Sequence, residues 1–174
     1  EYQIDIHLKK NKAKGIAING VPIRKASELF GIANFVFFSP EDLSIIKQGP
    51  AERRRFLDME LCQLDKVYLH HLSGYNRVLI QRNKLLKDLA FQPELADTLD
   101  VWDLQLAEYG KRVIEGREEF IASLGEIVGR IHGNLTGGRE RLKLSYEKNA
   151  SGEELYERIR QNRDKDIRMK TTSV

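Results

Sequence analysis

Two acidic side chains in adjacent positions, Glu41 and Asp42, and three consecutive arginines, Arg53, Arg54 and Arg55, are tight charge groupings, and the arginines suit contact with phosphate or a partner subunit. Guanidinium groups grip phosphate in bidentate fashion. Each grouping also has a structural reading. Ser39-Pro40-Glu41-Asp42 has the order of a helix start: a capping hydroxyl, a proline suited to the first turn, and carboxylates where the helix dipole favours them. Three successive helical positions fan over roughly 200°, so Arg53 to Arg55 cannot share one face. At least one is expected to pair with Glu52, Asp58 or a neighbouring lobe, with Phe56 and Leu57 pointing inward. Lys9, Lys10, Lys12 and Lys14 form the densest positive spot. They suit a sequence-independent, salt-sensitive grip on a DNA backbone. Equally, exposed lysines keep a strand edge from pairing with other chains.

Other chemistry is missing from the pattern. No glycine is followed at the right distance by Gly-Lys-Ser/Thr, so the sequence has no phosphate-binding loop, and no apolar strand ends in paired carboxylates. Leu135-Thr-Gly-Gly-Arg139 superficially matches the signature of ABC-type ATPases. A working signature opens a helix toward a phosphate, whereas a strand pattern follows here, so glycines ending a helix explain it better. His7, His70, His71 and His132 make no ligand cluster with Cys62, the single cysteine, which fits a reducing cytoplasm. No apolar run is long enough for a membrane span. The formal charge of +3, from 29 basic and 26 acidic residues, is too small to argue for nucleic acid by itself.

The elements that would position these groups alternate in type. Tyr2, Ile4, Ile6 and Leu8 have strand periodicity, Gly15–Ile18 returns as a second strand, and Asn19-Gly20 is a favoured hairpin dipeptide. Val21-Pro22-Ile23 fits an edge, since Pro22 cannot donate to a central ladder. A short helix around Ser27–Phe30 and a strand Asn34–Phe38 are expected to close the sheet. A short helix from Ser39 and another from Pro50 to about Leu64 follow. Tyr68, Leu72, Tyr75, Leu79, Arg82, Leu86 and Leu89 then recur at alternating spacings of four and three. Beyond Gln92-Pro93, so do Leu99, Trp102, Leu106, Tyr109, Val113, Gly116 and Phe120. Two such stripes predict an antiparallel helical hairpin with coiled-coil-like packing. Its aromatics are read as core, Gly116 as a point of close approach, His70-His71 as surface, and Arg77, Arg82, Lys84 and Lys87 as a solvated face. Leu142, Leu144 and Tyr146 predict a further strand, and Ser151-Gly-Glu-Glu154 a capping box opening a last helix. The fold class expected is α+β, mostly α: an antiparallel β-meander, a long antiparallel helical hairpin, then strand and helix. A start without Met and an end in mid-pattern suggest a piece of something longer.

Phe35-Val-Phe-Phe-Ser-Pro-Glu-Asp-Leu43 and Gly49-Pro-Ala-Glu-Arg-Arg-Arg-Phe-Leu-Asp58 resemble the motifs F-x-P-E-D-L and G-x-P-x-x-R-R-x-F-L-D of the RecF family. Tyr68-Leu69, Tyr75 and Gln81-Arg-Asn83 are similar to that family's Y-L, Y and Q-R-N, and Thr171-Thr-Ser-Val174 to the strand before its next block. The match is specific from about Ile16 to Lys87. The family is an SMC-like branch of the ABC ATPases, so the resemblance implies part of an ATPase head with a helical lever lobe. Residues 1–49 would be the β-rich part of the head, 50–136 the lever, and 137–174 the return. By the same resemblance Glu41 and Asp42 lie near the Q-loop, although Gln48 is out of place for its glutamine. Lys9, Lys10, Lys12, Lys14, Arg53, Arg54 and Arg55 become DNA-facing candidates. Also implied are ATP and magnesium in the full-length protein, with none in this piece. Further implications are ATP-dependent homodimers, binding to duplex DNA and single-strand/duplex junctions, RecO and RecR as partners, and RecA loading at gaps with a role in the SOS response. A bacterial cytoplasmic, nucleoid-associated location follows as well. The alternative from another class is a non-enzymatic coiled-coil module that recruits a protein. DNA affinity that falls steeply with salt favours the first reading; salt-insensitive capture of one protein favours the second.

Overall fold

The computed structural model describes residues 1–11, 14–36 and 39–174. They divide into two compact units, Glu1–Lys66 and Val67–Val174.

In the first unit, β1 (Ile4–His7), β2 (Gly15–Ile18) and β3 (Val21–Ile23) form an antiparallel sheet in that order. Register places Ile4 opposite Ile18 and Ile6 opposite Ile16, and then Ile16 opposite Ile23. The β2–β3 turn needs two residues with positive φ, supplied by Asn19 at 49° and Gly20 at 78°. The Asn19 side chain also accepts the Gln3 N–H at 2.9 Å, joining the turn to the start of β1. Pro22 sits on the edge strand opposite Ala17, where no ladder donor is lost. The short helix expected near Ser27 is a 3-10 turn, Ala26–Leu29. Glu28 caps it by accepting the N–H groups of Arg24 and Lys25. Residues 34–36 of the expected Asn34–Phe38 strand join no ladder, and Phe37 and Phe38 lie outside the described residues. Phe35 instead donates its N–H to the Gln63 side chain at 2.8 Å. A 3-10 turn, Pro40–Leu43, leads into α1 (Ser44–Lys47), and Pro50 opens α2 (Pro50–Leu64). Among the described residues, Leu29, Leu57, Leu61 and Cys62 are the buried apolar side chains of this unit.

The second unit is built on α3 (Lys66–Asp88) and α4 (Leu99–Leu135). Contacts run in opposite directions along the two helices: Tyr68 lies against Gly116, Tyr109 against Gly74, and Arg82 against Asp103. That is an antiparallel hairpin. Gly116 permits the approach, since a Cβ there would lie 2.7 Å from the Tyr68 ring. The buried stripe is broader than the one read from spacing: Gly74, Val78 and Leu85 join it on α3, and Asp103, Ala107 and Gly110 on α4. A third layer is the reason. α5 (Leu155–Gln161) packs on the hairpin, and Leu155 and Ile159 share one core with Val78, Leu106, Ala107 and Ala150. A second core of Leu85, Leu86, Leu89 and Leu99 closes the end near the loop.

Leu142, Leu144 and Tyr146 were expected to form a strand, but residues 139–148 pair with no strand among the described residues. Their alternation is satisfied by a helix instead. Leu144 lies beside Gly125 of α4, and Tyr146 accepts a hydrogen bond from Arg117 at 3.3 Å. Ser151 and Glu154 make the reciprocal capping bonds read from sequence, at 2.7 to 3.2 Å. The chain ends with α6 (Arg163–Met169), closed by Lys170 in the left-handed region at φ 55°.

Candidate functional site

The segment from Ser39 to Arg55 is shaped by side chains that bind its own backbone. Asp42 accepts the Ser39 N–H at 2.7 Å, and the Ser39 hydroxyl holds the Glu41 carboxyl below its ordinary value. The arginines divide as their fan requires. Arg53 donates to the Gln48 carbonyl at 2.9 Å and the Ile45 carbonyl at 3.4 Å, placing a cation at the carbonyl end of α1, where the dipole favours it. Arg55 stands 4.0 Å from Glu52 in an exposed pair of little energetic weight. Arg54 is exposed and makes no hydrogen bond or ion pair among the described residues. At the β1–β2 hairpin tip, Lys9, Lys10 and Lys14 are exposed; Lys12 lies outside the described residues. No group of three or more His, Cys, Asp or Glu among the described residues is placed to hold a metal ion. Leu135-Thr-Gly-Gly-Arg139 is a helix stop: Gly137 and Gly138 have positive φ, and the Gly138 N–H returns to the Gly133 carbonyl at 2.8 Å.

Sequence reasoning placed Arg82 on a solvated face, and the structure corrects this. Arg82, Asp103 and Asp166 are each 0% exposed. Arg82 donates from Nε to Asp103 at 2.7 Å, and from one terminal nitrogen to Asp166 and to the Thr172 hydroxyl, both at 2.8 Å. Arg163 donates to the other Asp103 oxygen at 2.6 Å and also pairs with Asp100. Burial alone would lower the Arg163 pKa, but its bonds to Asp100 and Asp103 outweigh that and raise it. Two buried carboxylates thus face two guanidinium groups. The hub also holds main chain: Asn83 accepts the Thr172 N–H at 2.8 Å, and Asp166 accepts the Ser173 N–H at 3.0 Å. It therefore fixes α3, α4, α6 and the 172–173 segment against one another. The available signal was a lone arginine inside an apolar stripe.

No family model matches the chain. It is 59% identical over 174 residues to the DNA replication and repair protein RecF of Agathobacter rectalis, covering 100% of this chain and 48% of that protein. It is also 59% identical to RecF of Lachnospira eligens, again covering 48% of the relative. The chain corresponds to a segment of the RecF family. It spans about half the length of the curated relatives it matches. A solved structure of the recombination mediator protein RecF-ATP in the RecFOR pathway superposes with a TM-score of 0.84 at 32% identity, over 99% of this chain and 48% of that one. The three-stranded antiparallel sheet and helical hairpin are thus the RecF arrangement, as the motifs at Phe35–Leu43 and Gly49–Asp58 implied.

Proposed function

We propose that the chain is the coupling and DNA-facing part of a RecF-type DNA replication and repair ATPase. The observation that carries this reading is the 59% identity to RecF across the whole chain. ATP and magnesium are held mainly by parts of the full-length protein outside this segment and bring two heads together. The segment from Ser39 to Arg55 passes the nucleotide state to the helical hairpin, with Glu41 and Asp42 serving the nucleotide and Arg54 and Arg55 facing DNA. Arg53 is the strut that fixes this turn to α1. Lys9, Lys10, Lys12 and Lys14 contact the backbone of duplex DNA or of a single-strand/duplex junction. Partnership with RecO and RecR, support of RecA loading at gaps, a part in the SOS response and a cytoplasmic, nucleoid-associated site of action complete the reading.

Two measurements test it. The 174-residue chain alone should hydrolyse no ATP; a specific ATP dissociation constant in the low micromolar range contradicts this division of labour. In the full-length protein, replacing Lys9, Lys10, Lys12 and Lys14 by Glu should weaken DNA binding. Unchanged binding at low salt removes the hairpin tip from the DNA surface. DNA affinity in the full-length protein that ignores ATP would defeat the reading as a whole.

A further inference from the structure

The hairpin carries a second cationic surface, and its arrangement differs from ordinary solvated charge. α3 runs 23 residues and has no carboxylate before its last residue, Asp88. Gly74, Val78, Arg82, Leu85 and Leu86 face inward. At 100° per residue, Arg77, Lys84 and Lys87 fall within roughly 80° of one another on the opposite side, and all three are exposed. None has a carboxylate partner among the described residues. α4 is the contrast: Lys111 and Arg112 are neutralised by Glu115 and Glu153. Pairing at helical spacing, as Lys111 and Arg112 have with Glu115, is how a solvated face gains from its charges. Asn76 and Gln81 flank the α3 cations, exposed amides able to donate to phosphate or sugar oxygens.

From this we infer that the outer face of α3, through Arg77, Lys84 and Lys87, is a polyanion-binding surface whose ligand is the phosphate backbone of a nucleic acid duplex. The identity of the polyanion rests on the reading proposed above; the surface itself rests on the charge pattern. The three cations span about 15 Å of helix, the axial length of roughly nine duplex charges. An acidic protein would meet the same charges, but lysine is depleted at protein interfaces, and two of the three cations are lysines.

The test uses the 174-residue chain, a fluorescein-labelled 30-base-pair duplex and anisotropy titrations from 50 to 200 mM salt. The triple variant Arg77→Gln, Lys84→Gln, Lys87→Gln keeps good helix formers at exposed positions, and circular dichroism confirms its fold. Three lost phosphate contacts reduce the slope of log K against log salt by about 2.7. The wild-type advantage then shrinks about 40-fold between the two salt concentrations. Lys111→Gln with Arg112→Gln, which removes paired cations, should leave the slope unchanged. A triple variant with the wild-type slope overturns the inference while leaving the ATP-dependent DNA binding of the full-length protein untouched. Absence of duplex binding by the wild-type chain at 50 mM salt overturns it too. So does polyglutamate that displaces the duplex at equal charge concentration, which marks the face as a dock for an acidic protein.

Discussion

Replacing Arg82 by Met exposes how the hairpin is held. Methionine keeps helix propensity and much of the volume but removes the charge. Asp103 retains Arg163 at 2.6 Å, whereas Asp166 loses its guanidinium partner and keeps only the Ser173 N–H at 3.0 Å. Asp166 is 0% exposed, so its charge cannot rehydrate without opening the packing around it. Leaving one member of a buried pair uncompensated costs about 3–5 kcal/mol, a large share of the about 5–15 kcal/mol that stabilises a typical domain. Trp102, the single tryptophan, packs against both hydrophobic cores of this unit and reports its unfolding by fluorescence. With a urea m-value of about 2 kcal/mol/M, the midpoint should fall by about 1.5–2.5 M. Adding Asp166→Asn removes the orphaned charge, so the double variant should be more stable than the sum of the two single losses by at least about 1.5 kcal/mol. A loss below about 1 kcal/mol for Arg82→Met, or strict additivity in the double variant, would refute the claim that the hub holds the fold.

Two further outcomes follow from local geometry. Gly116→Ala pushes a methyl to within 2.7 Å of the Tyr68 ring and should cost about 1–2 kcal/mol net of helix propensity. Gly133→Ala, with nothing within 4 Å of the new carbon, should gain up to about 1 kcal/mol; urea titrations of both variants decide the pair. Burial, followed by the charges of Asp58 and Asp65, pushes the Cys62 thiol from 9.0 up to about 11. A folded pKa above the unfolded one means that this contribution is complete below about pH 8.5 and is lost as pH rises toward 11. Cys62→Ala should therefore flatten the alkaline limb of the stability curve. Rapid labelling of Cys62 by a disulfide reagent at pH 8 in native buffer would contradict its burial.

How far the sequence was legible depended on whether a residue's fate is decided locally. Asn19-Gly20 fixes its own turn through backbone dihedrals, Pro22 announces an edge, and Ser151 with Glu154 closes its own cap, so each was readable from a few neighbours. The spacing from Tyr68 to Leu89 and from Leu99 to Phe120 revealed two helices and their mutual orientation. What it could not reveal was the layer laid over them. Leu155 and Ile159 widen the buried strip and Leu155 turns Gly110 into a contact point, while Arg163 of α6 meets Asp103. Arg82 was misread for the same reason: its environment is set by Asp166, 84 residues away. Leu142, Leu144 and Tyr146 alternate as a strand would, but alternation records only that one side is covered, and here a helix covers it. Among the arginines, the fan of Arg53 to Arg55 was geometry any helix imposes, while the carbonyls that Arg53 meets depend on where α1 ends.

The hub also has an order of assembly. A ribosome adding about 5–20 residues each second delivers Asp166 roughly 4–17 s after Arg82. For most of that interval the nascent hairpin has Asp103 but lacks Asp166, Arg163 and the Thr172 hydroxyl, so an arginine destined for the interior must stay wet. Consolidation of this unit therefore waits for the segment that carries Arg163, Asp166 and Thr172, and a transcript truncated before residue 166 would yield a hairpin whose centre stays open to water.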